Sequence, residues 1–169
     1  MKAVDIAGLA VEATSGAPIV MLREQDEPHR LLPIFVGGAE AAAIALAVSG
    51  QVPPRPLTHD LMANLIQSLD GHVDAVVVTE VKDGAFLASL ALRGPSGEQQ
   101  LDTRPSDAIA LAVRLGAPLF VNEAVLEEAG TLPPPDNDGT DEDAPHQAAI
   151  DDTVEEFRTF LDKVDPSHF

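Results

Sequence analysis

The 169-residue chain is 45% hydrophobic and carries a formal net charge of −18, enough apolar material for the core of one domain with a small appendage. The absence of cysteine excludes disulfides, thiolate nucleophiles and cysteine-ligated zinc, and fits a reducing, cytoplasmic setting. The acidity opposes long-range attraction of nucleic acid. With no tryptophan or tyrosine, base stacking would fall to six phenylalanines, so phosphate recognition would need a local basic pocket.

The first third reads as strands. Val4–Ala13 is a broken apolar run, SGAP is a turn, Pro18–Glu24 is a compact apolar strand, and Leu31–Val36 is a third. Pro33 cannot donate to a ladder, which suits an edge strand. Gly37 and Gly38 break the strand, and Ala39–Val48 reads as an alanine-rich helix. The stretch from Leu31 to Val48 holds Pro33, two glycines and Glu40, so it reads as a strand entering a buried helix and no membrane span is expected. Lys2 is followed by Asp5 and Glu12 instead of an apolar run, so no secretory signal is expected either.

After the stiff connector QVPPRP, a linking helix is predicted over 58–70. Thr58 is its expected N-cap, Gly71 closes it, and Leu61, Leu65, Ile66 and Leu69 share one face. His72–Val81 and Ala85–Arg93 alternate around an Asp-Gly hairpin turn, and Glu98–Thr103 forms a shorter strand. A helix then runs to Leu115 and stops at Gly116. APLFVN and EAVLEEAG add a last short strand and helix.

The hexamer AIALAV occurs twice, at Ala43–Val48 and at Ala108–Val113, with similar strand and turn signals before each copy. The expected fold class is therefore α+β. It is a duplicated βββα repeat (about 1–50 and 72–116) around the linking helix, with a mostly antiparallel or mixed sheet packed on helices. This domain is expected over 1–130. Residues 131–149 read as an acidic, proline-rich linker, and 150–169 as a C-terminal amphipathic helix with Val154, Phe157, Leu161 and Val164 at helical spacing. Residues 131–169 hold 2 basic and 11 acidic side chains, half of the charge excess.

Chemistry concentrates at two helix starts. LDTRPSDA offers Asp102, Arg104, Ser106 and Asp107 where a strand meets a helix. A helix N-terminus favours anions, Arg104 could fork onto a phosphate, and Asp102 with Asp107 could hold a divalent cation. Pro105 at the first helical position followed by Ser and Asp is also ordinary helix-start chemistry. Yet the first copy of the helix starts on little more than Glu40, which mirrors the second cluster's place and reads as a helix-start acid, with a site member as the alternative, so Arg104 is not needed for capping. RPLTHDL gathers Arg55, Thr58, His59 and Asp60 in the same way. His59 beside carboxylates suits proton transfer or metal ligation, and a Thr58 cap with an exposed His59 is the plainer alternative. His29, His72, His146 and His168 stand alone. GGAEA lacks the ending of a phosphate loop, and neither HExxH nor a Ser-His-Asp set is present.

RLLPIFVGGAEAAAIALAVSG, PRPLTHDLM and DTRPSDAIALAVRLGAPLFV, in this order, resemble the signature blocks of the bifunctional nuclease (BFN) family, and EEFRTFLDKVDPSHF is similar to the tail of many bacterial members. The resemblance covers about 1–130 and the last twenty residues. It implies a duplicated α+β domain that assembles into oligomers and has DNase and RNase activity, with candidates Arg55, Thr58, His59 and Asp60 from one block and Asp102, Arg104, Ser106 and Asp107 from the other.

Two readings result. In the first, the protein is a nuclease: Asp102 and Asp107, with Asp60, hold Mg²⁺ or Mn²⁺, Arg104 and Arg55 stabilise charge, and His59 moves a proton. In the second, it is a non-catalytic oligomeric binding or regulatory module whose charged clusters are structural, with Arg104–Asp60 as one pairing. The first requires the two helix starts to converge around an open hollow. The second requires them to be buried and mutually saturated.

Overall fold

The computed structural model describes residues 1–133. Alternating and β-branched stretches form strands Lys2–Val11 (β1), Pro18–Glu24 (β2), Leu31–Phe35 (β3), His72–Lys82 (β4), Ala85–Gly94 (β5), Gly97–Thr103 (β6) and Leu119–Val121 (β7). Alanine- and leucine-rich stretches form helices Gly38–Val48 (α1), Thr58–Ser68 (α2), Pro105–Leu115 (α3) and Glu123–Ala129 (α4). The protein is α+β. Of the expected linker, only Thr131–Pro133 is described, and Thr131 bridges to Leu31. The rest of it and the expected C-terminal helix lie outside the described residues.

The seven strands form one mixed sheet in the order β3-β2-β1-β7-β4-β5-β6. Each half runs three antiparallel strands and then a helix, with β3 and β6 at the outer edges. Pro33 sits on an edge, where its missing N–H costs no ladder bond. The Asp-Gly hairpin joins β4 to β5 with Asp83 at φ 52° and Gly84 at φ 78°, the left-handed pair that the tight turn requires. The short strand β7 is the sheet's centre, antiparallel to β1 and parallel to β4.

One face of the sheet presents Val4, Val20, Leu22, Leu32, Ile34, Val76, Val78, Ala88 and Leu90, all buried, and all four helices contribute to the cores on this face. Ile44 of α1 and Ile109 of α3 hold the same place in the two hexamers. Both are 0% exposed and lie in one cluster with Val20, Leu22 and Val121. Each such burial is worth about 2–3 kcal/mol, so the repeated letters stabilise a shared core.

Two helix expectations change. Leu57, not Thr58, precedes α2 as its cap residue: no side chain caps the N–H groups of the first turn as a Thr58 hydroxyl was expected to, and the Asp60 carboxylate instead reaches back to the Leu57 N–H at 2.8 Å. The apolar face of α2 is also split. Ala63 and Ile66 pack against Val76, Leu90 and Leu111, whereas Leu61, Leu65 and Leu69 are exposed, Leu69 at 71%.

Candidate functional site

The starts of α2 and α3 meet. Pro105 occupies the first helical position of α3, and Gly116 ends that helix in the left-handed conformation (φ 66°). Arg104 is therefore the residue just outside the helix, and Asp107 lies in its first turn. Arg104 Nε donates to Asp107 Oδ2 at 2.7 Å and its Nη2 to Oδ1 at 3.1 Å, an arginine fork on one carboxylate. The same Nη2 donates to Glu40 Oε1 of α1 at 2.9 Å. From α2, His59 Nε2 lies 3.0 Å from Asp107 Oδ1. Three helices thus contribute one linked set: Glu40, Arg104, Asp107 and His59.

This set faces outward. The Arg104 side chain is 66% exposed, and Glu40 and Asp107 are half-buried. Arg104 Nη1 has no protein acceptor among the described residues. The His59 side chain is only 9% exposed, and among the described residues its Nδ1 has no hydrogen-bond partner.

A second, inner set ties the same three helices together. Arg114, 8% exposed at the end of α3, donates Nε to Asp60 Oδ1 at 2.5 Å, Nη2 to the Ala43 carbonyl of α1 at 3.0 Å and Nη1 to the Ala110 carbonyl at 3.0 Å. Asp60's other oxygen accepts the Leu57 N–H. Asp60 therefore pairs with Arg114 and not with Arg104, whose fork is taken by the nearer Asp107.

The charges set the protonation states. Burial pushes the Asp107 carboxyl up, but hydrogen bonds from Arg104 and His59 outweigh it and hold the group below the ordinary carboxylate range. Burial acts in the same way on Asp60, and Arg114 with the Leu57 N–H overcomes it. The Asp107 and Glu40 hydrogen bonds raise the Arg104 guanidinium above its usual value. Both aspartates are carboxylates at neutral pH.

The remaining predicted residues stand apart. Ser106 is buried in the first turn of α3, Thr58 is exposed in α2, and Arg55 is exposed in the connector before α2. Asp102 is exposed on β6 opposite Ser89, whose neighbours Ala88 and Leu90 face the helices. Asp102 therefore projects from the other side of the sheet, away from Asp107. Among the described residues no three His, Asp or Glu side chains are grouped to hold a metal ion. Arg114 was not among the expected site residues, and Glu40 was read first as a helix-start acid with a site role only as the alternative. The identity of the two hexamers, which implies that α1 and α3 pack as equivalents, is the signal that could have placed Glu40 beside Arg104. A cavity of about 280 Å³ lies elsewhere, between α2 and the β5–β6 turn, lined by Leu65, Ile66, Leu69, Leu92 and Gln99.

A profile of the bifunctional nuclease domain matches residues 20–133, from β2 through α4, and so covers every member of both charged sets. The chain belongs to the bifunctional nuclease family. An uncharacterized protein of Mycobacterium tuberculosis is 43% identical to this family member over 169 residues, covering 100% of this chain and 98% of its own. Bifunctional nuclease 1 of Arabidopsis thaliana is 29% identical over 153 residues, covering 82% of this chain and 47% of its own. Bifunctional nuclease 1 of Oryza sativa subsp. japonica is 28% identical over 114 residues, covering 66% of this chain and 34% of its own. The family member thus spans about half or less of each plant protein. No helix among its described residues is long and apolar enough to cross a membrane.

Proposed function

We propose that this family member hydrolyses phosphodiester bonds in DNA and RNA at the linked cluster of Glu40, Arg104, Asp107 and His59. The observation that carries the reading is the His59–Asp107 pair beside an exposed guanidinium. With Nε2 held on an ionised Asp107, the imidazole keeps its proton there and presents Nδ1 as a base. A substrate phosphate meets the outward Nη1 of Arg104, which supplies charge-assisted hydrogen bonds to its oxygens. Nδ1 takes a proton from water as the water oxygen bonds to phosphorus. The phosphorus–oxygen bond to the leaving sugar then breaks, and the imidazolium, steadied by Asp107, returns a proton to the leaving oxygen.

Mg²⁺ or Mn²⁺ assistance was the sequence-based expectation, and the donor set does not fit it. Both Asp107 oxygens are engaged by Arg104 and His59, and Asp102 projects from the opposite side of the sheet. The carboxylate cradle that such a cation takes is not formed by these side chains, so each step above uses the protein's own groups. The test is cleavage of single-stranded RNA and DNA in Mg²⁺, in Mn²⁺ and in EDTA. Wild type is expected to cleave, and His59→Gln, Arg104→Ala and Asp107→Ala to lose cleavage. Equal cleavage by all four proteins would point to a contaminant and overturn the proposal.

One observation favours the alternative, a non-catalytic oligomeric binding or regulatory module: the Asp60–Arg114 set is buried and mutually saturated, as a structural hub would be. The open Glu40–Arg104–Asp107–His59 set is what favours chemistry. We further propose a cytoplasmic homo-oligomer. The cysteine-free composition supports the first, and exposed Leu61, Leu65 and Leu69 along one side of α2 support the second. Light scattering on the full chain would read the oligomeric state.

A further inference from the structure

We infer that Arg114 is the positioning residue for His59, acting through Asp60, an inference that rests on the proposed role of His59. Asp107 and Arg114 lie about two turns apart on α3, so their side chains leave the same side of the helix at different heights. On the outer level α3 meets α1 through Glu40 and α2 through His59. On the inner level it meets α1 through the Ala43 carbonyl and α2 through Asp60. The outer links bend easily, because Arg104 is solvated and the His59–Asp107 contact is a single hydrogen bond. The inner links do not. Arg114 is almost fully buried, and each of its three nitrogens holds a different acceptor in the planar geometry that only a guanidinium provides.

Asp60 joins the levels. It is the next residue after His59, one of its oxygens is fixed by Arg114, and the other closes the first turn of α2 through the Leu57 N–H. The carboxylate therefore fixes both the height and the rotation of that turn against α3. The His59 ring, carried on the same turn, meets Asp107 only when they are set. A lysine at position 114 keeps the charge but cannot reach three divergent acceptors at once. Arg114→Lys should therefore leave the core in place while letting the start of α2 shift.

The experiment uses the full chain labelled with ¹⁵N-histidine, with the His59 ring signals assigned by their loss in His59→Gln. Asp107→Asn fixes the direction in which the Nε2 signal moves when its partner weakens. Arg114→Lys is expected to move it the same way while the His29 and His72 signals stay in place. Asp60→Asn, which breaks the same link from α2, is expected to do likewise. Unmoved His59 ring signals in both variants would overturn the inference.

Where wild type cleaves nucleic acid, Arg114→Lys should lower kcat about tenfold or more with KM unchanged, since sub-ångström displacement of a reacting group has effects of that order. In a His59→Gln background the same substitution should cost nothing further. An equal loss in both backgrounds would overturn positioning through His59. Absence of cleavage by wild type would count against the nuclease proposal alone, because the ring signals decide the role of Arg114 without it.

Discussion

His59 Nε2 and Asp107 Oδ1 lie 3.0 Å apart although 48 positions separate the two residues, and no other direct hydrogen bond between side chains joins α2 to the first turn of α3 among the described residues. The contact engages one ring nitrogen, and among the described residues the other has no hydrogen-bond partner. His59→Gln keeps a donor for Asp107 but cannot accept and release a proton. Turnover should fall about a hundredfold or more, with KM changed by no more than a few-fold, in steady-state cleavage of a short single-stranded oligonucleotide. A fall in affinity with unchanged kcat would assign His59 to binding instead.

Arg104 is the opposite case. Its guanidinium is largely solvated and lies outside the core, so Arg104→Ala should leave the thermal midpoint nearly unchanged. Loss of charge-assisted bonds to a phosphate should raise KM about tenfold or more. Arg104→Lys should recover only part of this, because an ammonium cannot fork onto Asp107. The comparison requires melting curves and kinetics on the same preparations.

A buried network on the other half of the sheet sets acid stability. Glu24, fully buried at the end of β2, takes Arg30 Nε at 2.8 Å and Nη2 at 3.0 Å, with Lys2 at 3.4 Å, and Arg30 continues to Glu123 of α4 at 2.6 Å. The Arg30 hydrogen bonds hold the Glu24 carboxyl down at about 2, against an ordinary 4.5. A carboxyl lowered by folding contributes its full stabilisation above the unfolded value and loses it as pH falls towards the folded one. Urea midpoints of wild type should therefore drop between about pH 4.5 and 2, and Glu24→Gln should flatten that part of the curve. At neutral pH, Glu24→Ala should cost about 3 kcal/mol, because Arg30 is left without its main partner.

Ile44 and Ile109 predict matched losses. Each is fully buried in the same cluster, so Ile44→Ala and Ile109→Ala should each cost about 2–5 kcal/mol in chemical denaturation. Leu65→Ala on the exposed side of α2 should change the stability of the monomeric domain by no more than about 0.5 kcal/mol.

The parts of this protein that were legible in its sequence are those decided locally. Alternation located the long strands, Asp83-Gly84 located the hairpin, Pro105 and Gly116 bounded α3, and Pro33 marked an edge. Pairings decided by tertiary geometry were not legible. β7 is three residues long and carries no periodicity, so nothing local told that it would occupy the middle of the sheet. Glu40 satisfies the dipole of its own helix, which hid its bond to Arg104, 64 positions away. Arg114 reads as ordinary basic chemistry in a helix's last turn, and only the fold reveals that it grips two other helices. Which carboxylate each arginine would choose was likewise settled by reach: Arg104 took the one three residues on, leaving Asp60 to Arg114.

The central place of β7 has a bearing on synthesis. β1 and β4 never touch as sheet neighbours, and both wait for Leu119–Val121 to zip between them. A nascent chain that has emerged only as far as α3 holds two hairpin-based sheets with open inner edges, the kind of surface that invites mispairing or chaperone capture. Ribosome-stalled chains ending before and after this strand should differ sharply in protease resistance, marking the moment at which a three-residue strand becomes the one that neither half can do without.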